Sequence, residues 1–397
     1  MTSSTSRFCC SGILSIVFLA GTFLLNSHAW ADGPLSVTQE KKTLVVPDGV
    51  FLMNIAHEPQ VIDPVDLAFD ESGRLWVVEM RDYPNGPDEG EKPTSLIKIL
   101  EDKDGDGIYE TANVFADQLL FANSILPWKQ GVIVTLSGKI EWMIDRDGDG
   151  KVDHRETWLE GFAEKNPQLR ANHPTLGPDG WIYVANGLRG GLVNVVNPDW
   201  PKLKAPIELR GRDFRFHPQT GACEAIAGNG QFGMSFDAWG NRLVCSNRNP
   251  AMQVMLQYQH LQQQPKLPIR SLVQDVSPSG VNSKLFPISA NWTTSNLHAG
   301  QYSAACGVHV YQGTMMPAMF KDRIFVCDPT ANLVHQDELE IDDATFRAVN
   351  PSQPREFMAS TNEWFRPVNI RTGPDGSLYV VDMYRAVIEH PQFMPDE

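Results

Sequence analysis

The chain is 397 residues long, 42% hydrophobic and 20% charged, with a net charge of −15. That length and composition suit one large folded domain or two ordinary ones and exclude a disordered chain. An acidic balance is repelled by phosphate backbones and anionic lipid surfaces, which sets nucleic-acid binding aside.

In chain order, residues 1–31 read as an export signal. Arg7 supplies the basic start, "GILSIVFLAGTFLL" (12–25) the apolar core, and "AWA" (29–31) the small residues before a cut at Asp32. The apolar core is short for a bilayer span. The expectation is an exported protein, periplasmic or extracellular, with no transmembrane segment after cleavage; an uncleaved anchor is the alternative. Residues 32–44 read as a linker and 45–397 as the folded domain. Cys9 and Cys10 leave with the signal. Cys223, Cys245, Cys306 and Cys327 remain, and permit two disulfides in three connectivities or four buried thiols. Cys223 with Cys245 and Cys306 with Cys327 are the sequence-local pairs. The chain has no Cys-x-x-Cys and no Cys-x-x-Cys-His, so it carries no zinc ribbon and no c-type haem.

A short pattern then recurs: "FDESGRLWVVEM" (69–80), "LGPDGWIYVANG" (176–187) and "TGPDGSLYVVDM" (372–383). Each runs from a strand through an Asp-Gly-type turn into a strand of aromatic and β-branched residues, which is hairpin grammar. Looser copies are "ILPWKQGVIVTL" (125–136), "GMSFDAWGNRLVCSN" (233–247) and "MFKDRIFVCDP" (319–329). Hairpins repeating at roughly fifty to eighty residues predict a β-propeller. "SLIKILED" (95–102) and "GKIEWMID" (138–145) supply outer strands, and "AMQVMLQYQHLQQQ" (251–264) is the one helix candidate. The expected fold is all-β, a six-bladed propeller whose last blade lacks its outer strands, with five or seven blades as alternatives.

At a propeller's channel face the starts of inner strands and the ends of their neighbours converge. That geometry gathers Asp63, Asp66, Glu79, Arg81, Asn172, His173, Asn186, Arg189, Asn229 and Gln231. It adds Asn247, Arg248, His298, Asp328, Arg366, Asp382 and Arg385. Two acidic loops lie elsewhere. "DRDGDGKVDHRE" (145–156) sets Asp145, Asp147, Asp149, Asp153 and Glu156 at calcium-loop spacing without flanking helices; "DKDGDGIYE" (102–110) repeats its front half. A structural calcium or a metal-free turn fits either. "GNGQFG" (228–233) leads into a strand, so it is no dinucleotide fingerprint, and no Gly-x-Ser-x-Gly elbow is present. "NWT" (291–293) is a formal glycosylation acceptor. His173, just ahead of an inner strand, has the chemistry of a general base or of a hydrogen-bonded rim residue.

"FGMSFDAWGNRLVCSNRNP" (232–250), "RIFVCDPTANLVHQ" (323–336), "STNEWFRPVNI" (360–370) and "GPDGSLYVVDMYRAVIEHP" (373–391) carry a family likeness. Over nearly all of residues 45–395 the chain resembles the N-terminal propeller of the PVC-type haem-binding proteins of planctomycetes and verrucomicrobia. That family is also called membrane-bound dehydrogenases. Its propeller is similar to the soluble quinoprotein glucose and sorbosone dehydrogenases. The resemblance implies pyrroloquinoline quinone over the channel, oxidation of a carbohydrate or alcohol, and electron transfer to a cytochrome c-type haem protein. The family's helical HEAT-like and cytochrome c domains are absent from these residues. Where the sugar dehydrogenases carry Arg-Asn-Pro-Gln-Gly, this chain has "GNGQFG", with Asn229 and Gln231 but no arginine.

Three readings follow. In a quinoprotein-like dehydrogenase, His173 takes the substrate proton, while Arg189, Arg248, Arg366 and Arg385, with Asn229 and Gln231, hold the cofactor. In a lactonase-type hydrolase, Glu79, Asn229 and Asp382 surround a divalent ion. In a non-catalytic propeller, the same face binds a glycan or a protein.

Overall fold

The structure, a computed structural model, describes residues 33–390 apart from 265, 267 and 291–297. The export segment and the Asn291 acceptor lie outside the described residues. Short antiparallel sheets follow one another around an axis. The first blade is Pro64–Phe69, Leu75–Glu79, Ser95–Glu101 and Thr111–Leu119. The second runs through Ser124–Trp128, Gly131–Leu136, Lys139–Ile144 and His154–Phe162, and gains Gly191–Val195 and Ile207–Glu208 at its outer edge. That added pair is an excursion from the third blade, which is Asn172–Leu176, Ile182–Ala185, Asp213–Phe216 and Cys223–Ile226. The fourth is Met234–Phe236, Arg242–Ser246, Asn249–Val254 and Val273–Asp275. The fifth is Cys306–Val310, Ile324–Asp328, Leu333–Asp342 and Met358–Ser360.

The protein is thus an all-β propeller of five blades, not six. The hairpin expected to open a sixth, Pro367–Thr372 with Leu378–Asp382, remains a two-stranded ribbon packed between the fifth blade and the first. The sequence pattern counts inner hairpins, and a blade also needs outer strands. After Asp382 the chain turns over the channel mouth instead, where Arg366 binds the carbonyls of Arg385 and Ala386 and Tyr83 Oη donates to the Glu389 carbonyl (2.6 Å). Nor are residues 32–44 only a linker: Val37–Thr43 is helical, and Leu44–Val45 pairs with Met358–Ser360 at the edge of the fifth blade. The expected helix at 251–264 is also shorter, because Ala251, Met252 and Val254 are buried in a strand and only Tyr258–Gln263 is helical.

The recurrent Asp-Gly turn has a direct physical reason. Asp70, Asp179, Asp237 and Asp375 each accept a backbone N–H two residues on, closing an Asx turn. Gly180 and Gly376 follow at φ +79° and +81°, a region a side chain disfavours. Between blades the core is aromatic and aliphatic: Trp158 lies 4.9 Å from Trp200, and Ile133, Leu159 and Phe214 are fully buried. Each such side chain contributes about 1.5–3 kcal/mol by leaving water. No helix among the described residues is long and apolar enough to cross a membrane.

Candidate functional site

A cavity of about 360 Å³ opens at the channel mouth. Its floor is apolar, from Val65, Phe232, Cys306 and Val368 with Met80 and Met383. Its rim is polar, from Tyr83, Asn123, Gln168, Arg170, Asn247, His298, Ser303 and Thr330 with Glu389 and His390. Ligand pockets combine these features: an apolar body and a few polar groups that set orientation.

The acids that end the repeated hairpin do not project into this cavity. They take backbone N–H groups where the chain enters an inner strand. Glu79 Oε1 accepts from Ile62 (3.1 Å), Asp382 Oδ1 from Arg366 (2.8 Å), and Asp328 Oδ2 from Ser303 (3.0 Å) and Ala304 (3.1 Å). Glu79, fully buried, is also paired with Arg81 and with Lys98 (2.9 Å). Burial lifts the Asp382 carboxyl to about 7, against the N–H bonds it accepts. Asn229 faces Asn186 (3.2 Å). Among the described residues the groups of three or more acidic, histidine or cysteine side chains near enough to share an ion are those of the two acidic loops, whereas Glu79 and Asp382 are taken up by backbone N–H groups and Glu79 also by cations.

His173 is fully buried beneath Phe232, whose ring meets it edge-on at 4.7 Å. Its Nδ1 lies 2.8 Å from Asn172 Oδ1 and its Nε2 3.1 Å from Asn369 Oδ1. Both amides are oriented by other bonds: Asn172 Nδ2 donates to the Arg170 and Gln231 carbonyls, Asn369 Nδ2 to Asp66. Burial, then the charge of Arg371, holds the imidazole well below its ordinary value. A neutral ring has one N–H for two carbonyl oxygens, so one contact carries no proton. The residue is engaged on both nitrogens and covered from the cavity.

The four arginines read as cofactor ligands have other partners or other places. Arg366, 2% exposed, donates to the carbonyls of Pro329 (2.7 Å) and Arg385 (3.1 Å). Arg385 forks onto Asp63 (2.5 and 2.7 Å). Arg248 Nη1 stands 2.7 Å from His298 Nδ1 and 2.8 Å from its Nε2, and Nη2 donates to Gln301 (2.9 Å). Arg189 is exposed on the turn after Ile182–Ala185 and lies outside the cavity wall. Gln231 is on the wall, its Oε1 accepting from the Asn247 N–H (3.0 Å).

The residue the sequence reading missed is Arg170. It is 6% exposed on the wall, stacked 3.8 Å over Phe121, with Nε and Nη2 on the Glu164 carbonyl. Its Nη1 is buried with no hydrogen-bond partner among the described residues. Burial, opposed by Glu164 and Asp82, lowers the guanidinium to about 10, so it remains a cation at neutral pH. Its one sequence signal is position: it stands two residues ahead of Asn172, where an inner strand begins.

In the loop at 145–156, Asp145, Asp147 and Asp149 present oxygens within 4.8 Å of one another. Asp153 instead accepts from the Arg146 N–H (2.8 Å), and Glu156 from Asn197 (2.9 Å). The matching loop groups Asp102, Asp104, Asp106 and Glu110. The Val152 N–H of the second blade's loop bonds the Phe115 carbonyl of the first blade (2.8 Å), and the Tyr109 N–H bonds the carbonyl of Ile55, in the segment that leads into the first blade (3.0 Å).

Among solved structures the chain is similar to the PQQ domain of pyranose dehydrogenase from Coprinopsis cinerea. Identity there is 11%, over 85% of this chain and 94% of that one, at a TM-score of 0.49. It is similar to the soluble aldose sugar dehydrogenase of Escherichia coli at 14% identity, over 82% and 94%, TM-score 0.44. It is also similar to virginiamycin B lyase from Staphylococcus aureus at 11%, over 82% and 86%, TM-score 0.38. Likenesses this loose, to a lyase as well as to dehydrogenases, transfer no activity or site residue. No curated protein matches the chain. Residues 36–397 match a single family throughout, and the chain belongs to it: the family described as a domain of unknown function, DUF7133.

Proposed function

We propose that this protein is an exported propeller that oxidises a carbohydrate or alcohol at the channel mouth, with pyrroloquinoline quinone as its resident group. A cytochrome c-type haem protein then receives the electrons. The observation that supports the reading is the cavity itself: about 360 Å³, an apolar floor that includes the Phe232 ring, and one buried guanidinium nitrogen without a hydrogen-bond partner among the described residues. A planar, carboxylate-bearing quinone fits that set: Arg170 would hold a carboxylate, Asn123, Gln168 and Asn247 would bond its polar atoms, and the Phe232 ring would offer apolar contact. When bound, it supplies a two-electron acceptor. The chain's own residues do the rest. Val65, Val368 and Phe232 exclude water. His298 faces the cavity and His173 does not, so it replaces His173 as the imidazole that would take a substrate hydroxyl proton, once Arg248 Nη1, which stands 2.7 Å from its Nδ1 and 2.8 Å from its Nε2, has moved off the ring nitrogen's lone pair.

The test is quinone titration followed by dye reduction with sugars and alcohols. Arg170→Leu is expected to weaken quinone binding about tenfold to a hundredfold, the scale of a charge-assisted hydrogen bond. His298→Ala should abolish turnover with binding retained, whereas His173→Gln should change stability more than rate. Binding within twofold of wild type in Arg170→Leu removes the proposed anchor.

The acidic loops are proposed as structural calcium sites joining neighbouring units of the ring. Millimolar calcium is expected to raise Tm by several degrees, chelator to reverse it, and Asp145→Asn with Asp102→Asn to cancel it. A melting curve indifferent to both additions leaves these loops as metal-free turns.

A further inference from the structure

We propose that, in an oxidising environment, Cys306 and Cys327 form a disulfide across the wall of the pocket while Cys223 and Cys245 stay reduced. The two residues are directly opposite in the antiparallel pair Cys306–Val310 and Ile324–Asp328. Opposed residues in such a ladder project side chains from one face with Cα atoms about 4.5–5.5 Å apart. Disulfides form at Cα separations of about 4.4–6.8 Å, so opposed positions of a ladder fall within the range the bond needs; the irregularity in this ladder begins after Cys306, between it and His309.

The other thiols lack that relation. Cys223 is in the third blade opposite Phe216, and its sulfur donates to the Gly221 carbonyl (3.3 Å). Cys245 is in the fourth blade and donates to the Phe232 carbonyl (3.2 Å). The sequence-local pair Cys223 and Cys245 is thereby divided between blades. Cys245 does lie near the start of the Cys306 strand, since a Cβ on Gly233 would meet both its sulfur and the Val308 nitrogen. It is therefore the competitor that a test must exclude.

Access favours one order of events. Cys306, 8% exposed, is part of the cavity wall, and Cys327 is fully buried behind it. A small disulfide oxidant such as oxidised glutathione meets Cys306 first. The Cys306 sulfur, having lost its proton, attacks the oxidant, forms a mixed disulfide and releases one thiol. Cys327 loses its proton, attacks the Cys306 sulfur and releases the second. Two protein thiols are oxidised and the oxidant's one disulfide is reduced to two thiols. Burial pushes both cysteines well above the ordinary thiol range, so little thiolate is present and closure in the folded protein is slow. The bond would join the two strands where the wall residues Ser303 and Ala304 lead in and Pro329 and Thr330 lead out. It would also remove a nucleophilic sulfur from the floor of the cavity. None of this depends on the oxidoreductase reading.

The experiment maps thiols. Protein prepared without reductant is incubated with oxidised glutathione, denatured in alkylating agent and digested. The expected result is a linked Cys306–Cys327 peptide pair, Cys223 and Cys245 alkylated, and an intact mass lighter by two hydrogens. Reduction should lower Tm by several degrees. In Cys327→Ser, Cys306 should retain glutathione as the trapped mixed disulfide. Alkylation of all four cysteines in oxidised wild type, or a linked pair containing Cys245 or Cys223, overturns the proposal. The wild-type map decides it even if the variant does not fold.

Discussion

Asp66→Ala is expected to cost about 3–5 kcal/mol of unfolding free energy, the scale of removing one partner from a buried charged network. Asp66 is fully buried on the inner strand of the first blade. Its oxygens accept from its neighbour Leu67 (2.9 Å), from Ile125 in the second blade (3.1 Å), and from Asn369 in the closing ribbon (2.8 Å). Arg371 of the same ribbon pairs with it at 2.8 Å. One carboxylate therefore ties together three successive units of the ring, at the point where a two-stranded ribbon stands instead of a blade. Burial lifts this carboxyl above its ordinary value, against the pull of Arg371, so the ionised form is itself costly. The loss in alanine comes chiefly from the orphaned Ile125 N–H, the Asn369 amide and the Arg371 cation. Urea unfolding with an unchanged m-value measures it. A loss below about 1 kcal/mol would show that the ribbon is not closed through Asp66.

The second large effect is a pH dependence centred on His335. Its Nδ1 lies 2.6 Å from Glu356 Oε2 and its Nε2 3.1 Å from Asp337 Oδ1, all three side chains buried. Burial opposes the charge, but Glu356 and then Asp337 outweigh it and raise the imidazole to about 10. The folded protein thus keeps a proton that the unfolded chain releases near pH 6.5. The stabilisation is complete below about 6.5 and is lost as pH rises toward 10, on the order of 5 kcal/mol across that window. Ser277 donates to Asp337 (2.7 Å), the Phe286 N–H to Glu356 (2.8 Å), and Tyr302 packs edge-on at 5.7 Å. These contacts anchor the excursion that carries His298 and Ser303 to the pocket, so alkaline loosening should weaken ligand binding before global unfolding. His335→Gln is expected to remove most of the decline between pH 6.5 and 10 while lowering stability at neutral pH. Parallel pH profiles for variant and wild type would contradict the assignment.

The sequence placed several elements well. The hairpins at 69–80, 176–187 and 372–383 are real, and so are the outer strands at 95–102 and 138–145. Of the seventeen residues gathered at the channel face, Gln231, Asn247 and His298 share a cavity. Other placements depended on partners far along the chain. Glu79, Asp328 and Asp382 bind backbone N–H groups of entering segments, Arg366 binds carbonyls, and His173 lies under Phe232. Arg170 stands on the cavity wall with Glu164 and Phe121 satisfying part of its guanidinium and one nitrogen left without a hydrogen-bond partner among the described residues. A linear pattern of polar residues does not reveal which of them the backbone consumes.

By itself the sequence determined what neighbours within a few residues decide: Asp-Gly turns closed by an Asx hydrogen bond, strands of β-branched and aromatic residues, and the acidic loops between them. Tertiary structure alone decided that there are five blades and a ribbon, which polar groups face the cavity, and which cysteines stand opposite one another. Those outcomes turn on pairings between segments tens to hundreds of residues apart, such as Leu44 with Ser360 and Asp66 with Asn369. Local hydrogen bonding cannot choose among such partners; the ordering of packed sheets around one axis does.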